Sequence, residues 1–234
     1  MLYNAISNPV KLLINGVIDL VYPPLCLVCE RKLIKLEDQL CNSCLDGFNL
    51  LGEPHKEFSV PGQVYLGSAW ALFDFDPAFQ SLIHHLKYSR RRKPILTVLN
   101  HHEQKILGQL DPPYDWVISI PLHPRKQRER GYNQVDGMSR WLAEKLNSQF
   151  GDHLVKRIKY TQSQTKLNAQ ERQENVSKAF AIKSEQDIVG RRVLLVDDVL
   201  TTGATANTLA EALINFGAIG VDLITLSAPS ERKA

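Results

Sequence analysis

The chain has 234 residues, 44% hydrophobic and 23% charged, and its 28 Lys and Arg against 25 Asp and Glu leave a net charge of +3. That is the composition of an ordinary soluble globular protein, with room for one large domain or for one domain and a small module. No apolar run approaches the roughly 20 residues that cross a bilayer, which excludes a membrane-spanning class, and the charge balance is too mild to demand a nucleic-acid partner.

In chain order, Val10, Ile14, Val17 and Val21 fall at helical spacing and predict an amphipathic helix packed on the protein. Tyr22, Pro23 and Pro24 follow where a secretory leader would carry a small-residue cleavage site, so a cytoplasmic location is expected. All four cysteines then lie within nineteen positions, as two C-x-x-C pairs: Cys26 with Cys29, and Cys41 with Cys44. A C-x-x-C knuckle points two thiolates at one ion, and two knuckles complete a tetrahedral S₄ shell. Disulfides are the competing reading, but a cytosolic chain seldom keeps them. Structural zinc is therefore expected on Cys26, Cys29, Cys41 and Cys44. The charges between the knuckles, Arg31, Lys32 and Lys35 against Glu30, Glu37 and Asp38, offset one another.

Gly47, Gly52, Pro54, Pro61 and Gly62 mark residues 46–62 as a linker. The expected division is a zinc module over 1–50 and a second domain over 63–234. Residues 64–75 are β-rich. Phe79, Leu82, Ile83 and Leu86 mark a helix ending in the basic stretch Lys87, Arg90, Arg91, Arg92 and Lys93, and a second helix is expected over 95–110. Trp116 to Ile120 reads as a buried strand, followed by Pro121, Leu122, His123 and a basic loop with Arg125, Lys126, Arg128 and Arg130. A helix carrying Val135, Met138, Trp141, Leu142 and Leu146 comes next, then a short strand near Val155 and Ile158. Residues 160–178 are poor in apolar anchors and read as a mobile loop. Ala179 to Ile182 and Val221 to Ala228 read as strands, with Gly217 closing the helix before the last one. The alternation predicts an α/β fold with a parallel sheet flanked by helices.

The segment from Arg192 to Thr205 carries the most information. Val193, Leu194, Leu195 and Val196 form an apolar run without alternation, as in a parallel strand covered on both faces. The strand ends in Asp197 and Asp198 and passes through Thr201, Thr202, Gly203, Ala204 and Thr205 into a helix. Backbone N–H groups, hydroxyls and a helix N-terminus at the carboxyl end of such a strand make a phosphate cradle. The absence of Gly-Lys-Ser/Thr excludes a Walker A loop. Adjacent carboxylates would repel a bare phosphate, whereas a ribose diol with Mg²⁺ gives them a role.

This segment resembles the 5-phosphoribosyl-1-pyrophosphate (PRPP) signature of type I phosphoribosyltransferases. The resemblance implies that Asp197 and Asp198 hold the ribose and that Thr201, Thr202, Gly203, Ala204 and Thr205 wrap the 5-phosphate. Pro121, Leu122, His123 and Arg125, followed by Gly131 and Tyr132, resemble the pyrophosphate loop of the amidophosphoribosyltransferases. Arg157, Thr161, Gln164, Leu167, Arg172, Asn175, Ala179 and Phe180 resemble the flexible loop of the same enzymes, which closes over PRPP. It implies a catalytic set of Asp197, Asp198 and Arg172, with Mg²⁺ bound alongside PRPP. The whole chain resembles the competence ComF/GntX-like family, which joins a four-Cys zinc module to such a domain. That resemblance implies a role in DNA uptake during natural transformation, with a competence helicase as partner in some systems. The sequence names no acceptor. The alternative is a non-catalytic module that keeps a phosphoribosyl pocket and handles single-stranded DNA through Lys87, Arg90, Arg91, Arg92, Arg128 and Arg130, flanked by Tyr88, Tyr132 and Tyr160.

Overall fold

A computed structural model describes residues 23–34, 37–52, 60, 62–88, 93–111, 113–158 and 179–229. The expected N-terminal helix, Arg90, Arg91, Arg92, Arg172 and the 160–178 segment lie outside the described residues. The chain divides into two compact units, Met1–Gly47 and Phe48–Ala234. The first contains one described helix, α1 (Asn42–Gly47).

In the second unit β1 (Ala69–Asp74) is followed by three helices, α2 (Pro77–Tyr88), α3 (Lys93–His101) and α4 (Glu103–Leu107). Then come β2 (Trp116–Ser119), α5 (Pro124–Arg130), α6 (Asp136–Lys145), β3 (Gln149–Phe150), β4 (Val155–Arg157) and β5 (Phe180–Ile182). The unit closes with β6 (Arg192–Val199), α7 (Ala204–Asn215) and β7 (Gly220–Ala228). Five strands form one sheet in the order β1-β7-β6-β2-β3, and every pairing in it is parallel. The α/β architecture expected from the alternating elements is therefore present.

The pleat decides which side chains meet. Val193 and Leu195 of β6 share one cluster with Ile118 of β2, Leu223 of β7 and Leu209, Ala210 and Leu213 of α7. The alternate residues Leu194 and Val196 turn to the opposite face, the side on which α6 packs against β2.

Four expectations change. Part of the 46–62 segment is not a linker: Leu51 N–H donates to the Leu72 carbonyl at 2.8 Å, and Phe48 packs edge-on against Phe79 with centroids 5.4 Å apart. Residues 48–51 cover the open edge of β1, a protection exposed strands need. The helix over 95–110 breaks at His102, giving α3 and α4. The basic stretch after Pro124 is a helix, because Pro at its first position and the His123 cap favour one. β5 does not join the parallel sheet but pairs antiparallel with β4, Arg157 facing Phe180. Gly217 lies one residue past the Phe216 cap of α7, with φ +92°, the left-handed position where glycine is least strained.

Candidate functional site

The carboxyl end of β6 opens into a cavity of about 60 Å³ bordered by Asp197, Thr201 to Thr205 and Thr225. Gly203 adopts φ +75° ahead of α7 and has no side chain to cap the helix, while Thr202 Oγ1 accepts the Ala204 N–H at 3.3 Å. Glycine suits this conformation because it lacks a Cβ. The N-terminus of α7 borders the cavity and turns the positive end of its dipole toward it, which favours an anion.

The two aspartates part company. Strand alternation carries Asp197 to the face of Val193 and Leu195 and Asp198 to the opposite face. Asp197 lines the cavity. Asp198 instead meets Lys87 Nζ of α2 at 2.7 Å and accepts from Gln134 Nε2 at 3.0 Å. Gln134 Oε1 in turn accepts from Arg130 at 2.8 Å. The neighbouring residues complete a clasp: Tyr132 O–H donates to the Leu86 carbonyl at the end of α2 (2.6 Å), and Asn133 Nδ2 to the Ile120 carbonyl at the end of β2 (2.9 Å). Arg130 to Gln134 therefore tie together the ends of α2, β2 and β6. Sequence reasoning took Gly131 and Tyr132 for part of an anion loop. Asn133 and Gln134, which belong to the Arg130–Gln134 string of the family resemblance, are buried and hold this clasp rather than an anion.

Burial first, and then the adjacent Asp198 carboxylate, push the Asp197 carboxyl up to about 7, with Lys87 pulling the other way. An unfolded Asp titrates near 4. The folded chain thus keeps a proton that the unfolded chain has lost between those values, and stability falls as pH rises through that window. Asp197→Asn is therefore expected to be more stable than the parent chain by roughly 1–3 kcal/mol at pH 8, with the gap narrowing toward pH 5. Denaturant titrations at both pH values check this; a gap that does not change with pH contradicts a crowded, desolvated Asp197.

The other proposed contacts are spread over several surfaces. Pro121, Leu122 and His123 form the loop after β2, where His123 Nδ1 accepts the Arg125 N–H at 3.2 Å. Arg125 pairs with Glu129 at 2.8 Å on an exposed helix face, and Arg128 is exposed beside it. None of these borders the Thr201–Thr205 cavity. Lys87, counted among the nucleic-acid candidates, is half-buried and engaged with Asp198.

In the first unit the sulfurs of Cys26, Cys29, Cys41 and Cys44 all lie within 4.8 Å of one another, with Cys29 and Cys41 3.7 Å apart. A tetrahedral zinc with bonds of about 2.3 Å sets sulfurs about 3.8 Å apart, so the quartet fits that ion. The Cys41 N–H donates to Cys26 Sγ at 3.4 Å. Burial opposes ionisation of Cys41, but donors from Cys44 and Arg31 outweigh it and hold the thiol down to about 6, while burial pushes Cys44 up. Glu37 braces the span between the knuckles rather than merely balancing charge. Its carboxylate accepts from Ile34 N–H, Asn42 N–H and Arg31 at 3.0, 3.0 and 2.6 Å.

Comparison with known proteins agrees with both units. Residues 137–234 match the phosphoribosyl transferase domain and residues 17–55 the double zinc ribbon domain. DNA utilization protein YhgH of Escherichia coli (strain K12) is 31% identical over 211 residues, covering 85% of this chain and 88% of that one. Competence protein F of Haemophilus influenzae is 40% identical over 123 residues, 52% of this chain and 53% of that one. Competence protein ComFC of Streptococcus pneumoniae is 28% identical over 206 residues, 86% of each chain.

Proposed function

The chain belongs to the ComF/GntX-like family, a four-cysteine zinc module joined to a type I phosphoribosyltransferase-like domain, and from that premise we propose that it binds PRPP with Mg²⁺. One observation carries the reading: a cavity bordered by the Thr201–Thr205 loop and the N-terminus of a helix lies beside Asp197 at the end of β6. In this reading Thr201 to Thr205 take the 5-phosphate and Asp197 the ribose hydroxyls, with Asp198 held in register by Lys87 and Gln134. The crowding that raises Asp197 is what a divalent cation or hydroxyl donors would relieve. Mg²⁺ would neutralise charge on a pyrophosphate leaving group. The protein's share is positioning and preorganised dipoles, and the reaction class is displacement of pyrophosphate from the ribose carbon by an acceptor. Calorimetric titration of Mg²⁺–PRPP tests the reading.

Relatives named for competence and DNA utilization support placing this activity in DNA uptake, and they favour a second reading in which the chain handles single strands. Arg125, Lys126 and Arg128 on the exposed face of α5 suit a phosphate backbone. Labelled single-stranded DNA should then bind at low salt, and changing Arg90, Arg91 and Arg92 to Ala should flatten the log–log salt dependence by about 2, from three lost phosphate contacts. Absence of binding at low salt ends this second reading.

A further inference from the structure

The four cysteine sulfurs of the first unit form a close group but do not share one environment. Cys26 and Cys41 are buried, with relative exposures of 1% and 0%, Cys44 is half-buried, and Cys29 is exposed. The two buried sulfurs are also engaged by donors. Cys26 Sγ accepts the Cys41 N–H at 3.4 Å, and Cys41 Sγ accepts from the Arg31 side chain, which Glu37 holds at 2.6 Å. Cys29 Sγ stands 3.7 Å from Cys41 Sγ, a contact between the knuckles rather than within one. The quartet fits zinc, and a cysteine that binds zinc does so as a thiolate.

The thiolate is the form of cysteine that attacks a peroxide, and susceptibility follows exposure as well as thiolate character. Burial keeps Cys26 and Cys41 from an oxidant in solvent, so Cys29 is where one arrives first. An oxidised sulfur then needs a second thiolate within reach to be resolved as a disulfide. Cys41 stands near enough for small side-chain movements to close that bond. A bridge from Cys29 to Cys41 would join the knuckles around the Glu37 brace, so the unit would stay closed after its metal had left.

We propose that Cys29 is a peroxide-reactive site and that Cys29 and Cys41 together form a reversible redox switch on the zinc of the first unit. The Cys29 thiolate attacks one oxygen of hydrogen peroxide: an S–O bond forms, the O–O bond breaks and hydroxide leaves. The Cys41 thiolate then attacks the Cys29 sulfur: the S–S bond forms, the S–O bond breaks and a second hydroxide leaves. The two sulfurs give up two electrons in all, and the peroxide takes both. With two of its four thiolates gone, the metal is released. A dithiol reduces the bridge, and the knuckles rebind zinc. The switch lies wholly in the first unit and does not depend on what the cavity of the second unit binds.

The test treats the reduced, zinc-loaded full chain with graded hydrogen peroxide, follows zinc release with a chromogenic chelator and maps bridges by mass spectrometry. Trypsin separates the knuckles, because Arg31, Lys32 and Lys35 lie between them, so a bridge across the knuckles shows as two linked peptides. Peroxide should release about one zinc per chain together with a Cys29–Cys41 bridge, and dithiothreitol with added zinc should restore the free thiols and the metal. Cys29→His keeps a ligand in a Cys₃His set and removes the exposed thiolate, so release should slow by about tenfold or more. Where that variant does not hold zinc, the peptide map of the parent chain decides alone. Zinc retained under peroxide that oxidises a free thiol overturns the proposal. So does a bridge within one knuckle, Cys29 driven to sulfinic acid without a bridge, or release from Cys29→His at the parent rate. A parent chain isolated without zinc overturns it as well.

Discussion

Mg²⁺–PRPP titrated into the protein should give saturable binding, and the Asp197→Asn, Asp198→Asn double variant should lose it by at least about tenfold, since Asp197 contributes charge-assisted bonds of roughly 1.5–3 kcal/mol and Asp198 holds the strand end in register. The single variants should differ, because the pleat separates the two side chains. Asp197 borders the cavity and, among the described residues, has no salt-bridge partner, so Asp197→Asn should cost affinity while stabilising the ligand-free chain at alkaline pH. Asp198 is the counterion of a half-buried Lys87, so Asp198→Asn should lower stability as well, by leaving that ammonium without its partner. Opposite signs in stability with the same sign in affinity would be hard to obtain from any site in which both carboxylates simply face solvent. If the parent chain binds no PRPP, the cavity serves another phosphate, and the single-strand reading takes precedence.

The parts of the site legible in the sequence are those in which one local signal determines the local structure. The apolar run from Val193 to Val196, the acidic pair and the small hydroxylated loop each require strand, strand end and helix start, and these coincide at the carboxyl edge of β6. The C-x-x-C pairs are legible for the same reason, since thiolate geometry follows from spacing. What escaped the sequence depends on tertiary neighbours. Consecutive aspartates look equivalent in a string, but the pleat gives one to the cavity and the other to Lys87, which is 111 positions earlier in the chain. The strands at Val155 and Phe180 were expected, but nothing in three residues says whether their partner is parallel or antiparallel, so the β4–β5 pairing stayed hidden. Glu37 read as a solvated charge because its three donors are assembled only when the knuckles close.

Removal of zinc should unfold the first unit and leave the second standing. Among the described residues of the first unit, the buried apolar side chains beyond the cysteines are Leu33, Leu40 and Leu45. Small units rarely bury enough apolar surface to offset the cost of ordering the backbone, and a metal supplies the difference. Four thiolates within 4.8 Å of one another repel strongly unless a cation lies between them. The metal therefore holds both knuckles at once, and the Glu37 brace depends on it, because its donors Ile34 and Asn42 flank the two knuckles. Hydrogen exchange with and without a strong chelator should show protection lost over residues 23–47 and retained at the buried strands β2, β6 and β7, whose parallel pairing involves no cysteine. Metal analysis should find about one zinc per chain, and Cys41→Ser should reproduce the chelator pattern. Amides over 23–47 that keep their protection after the zinc is gone would show that the leucines and Glu37 hold the unit alone, and that the four cysteines serve something other than its folding.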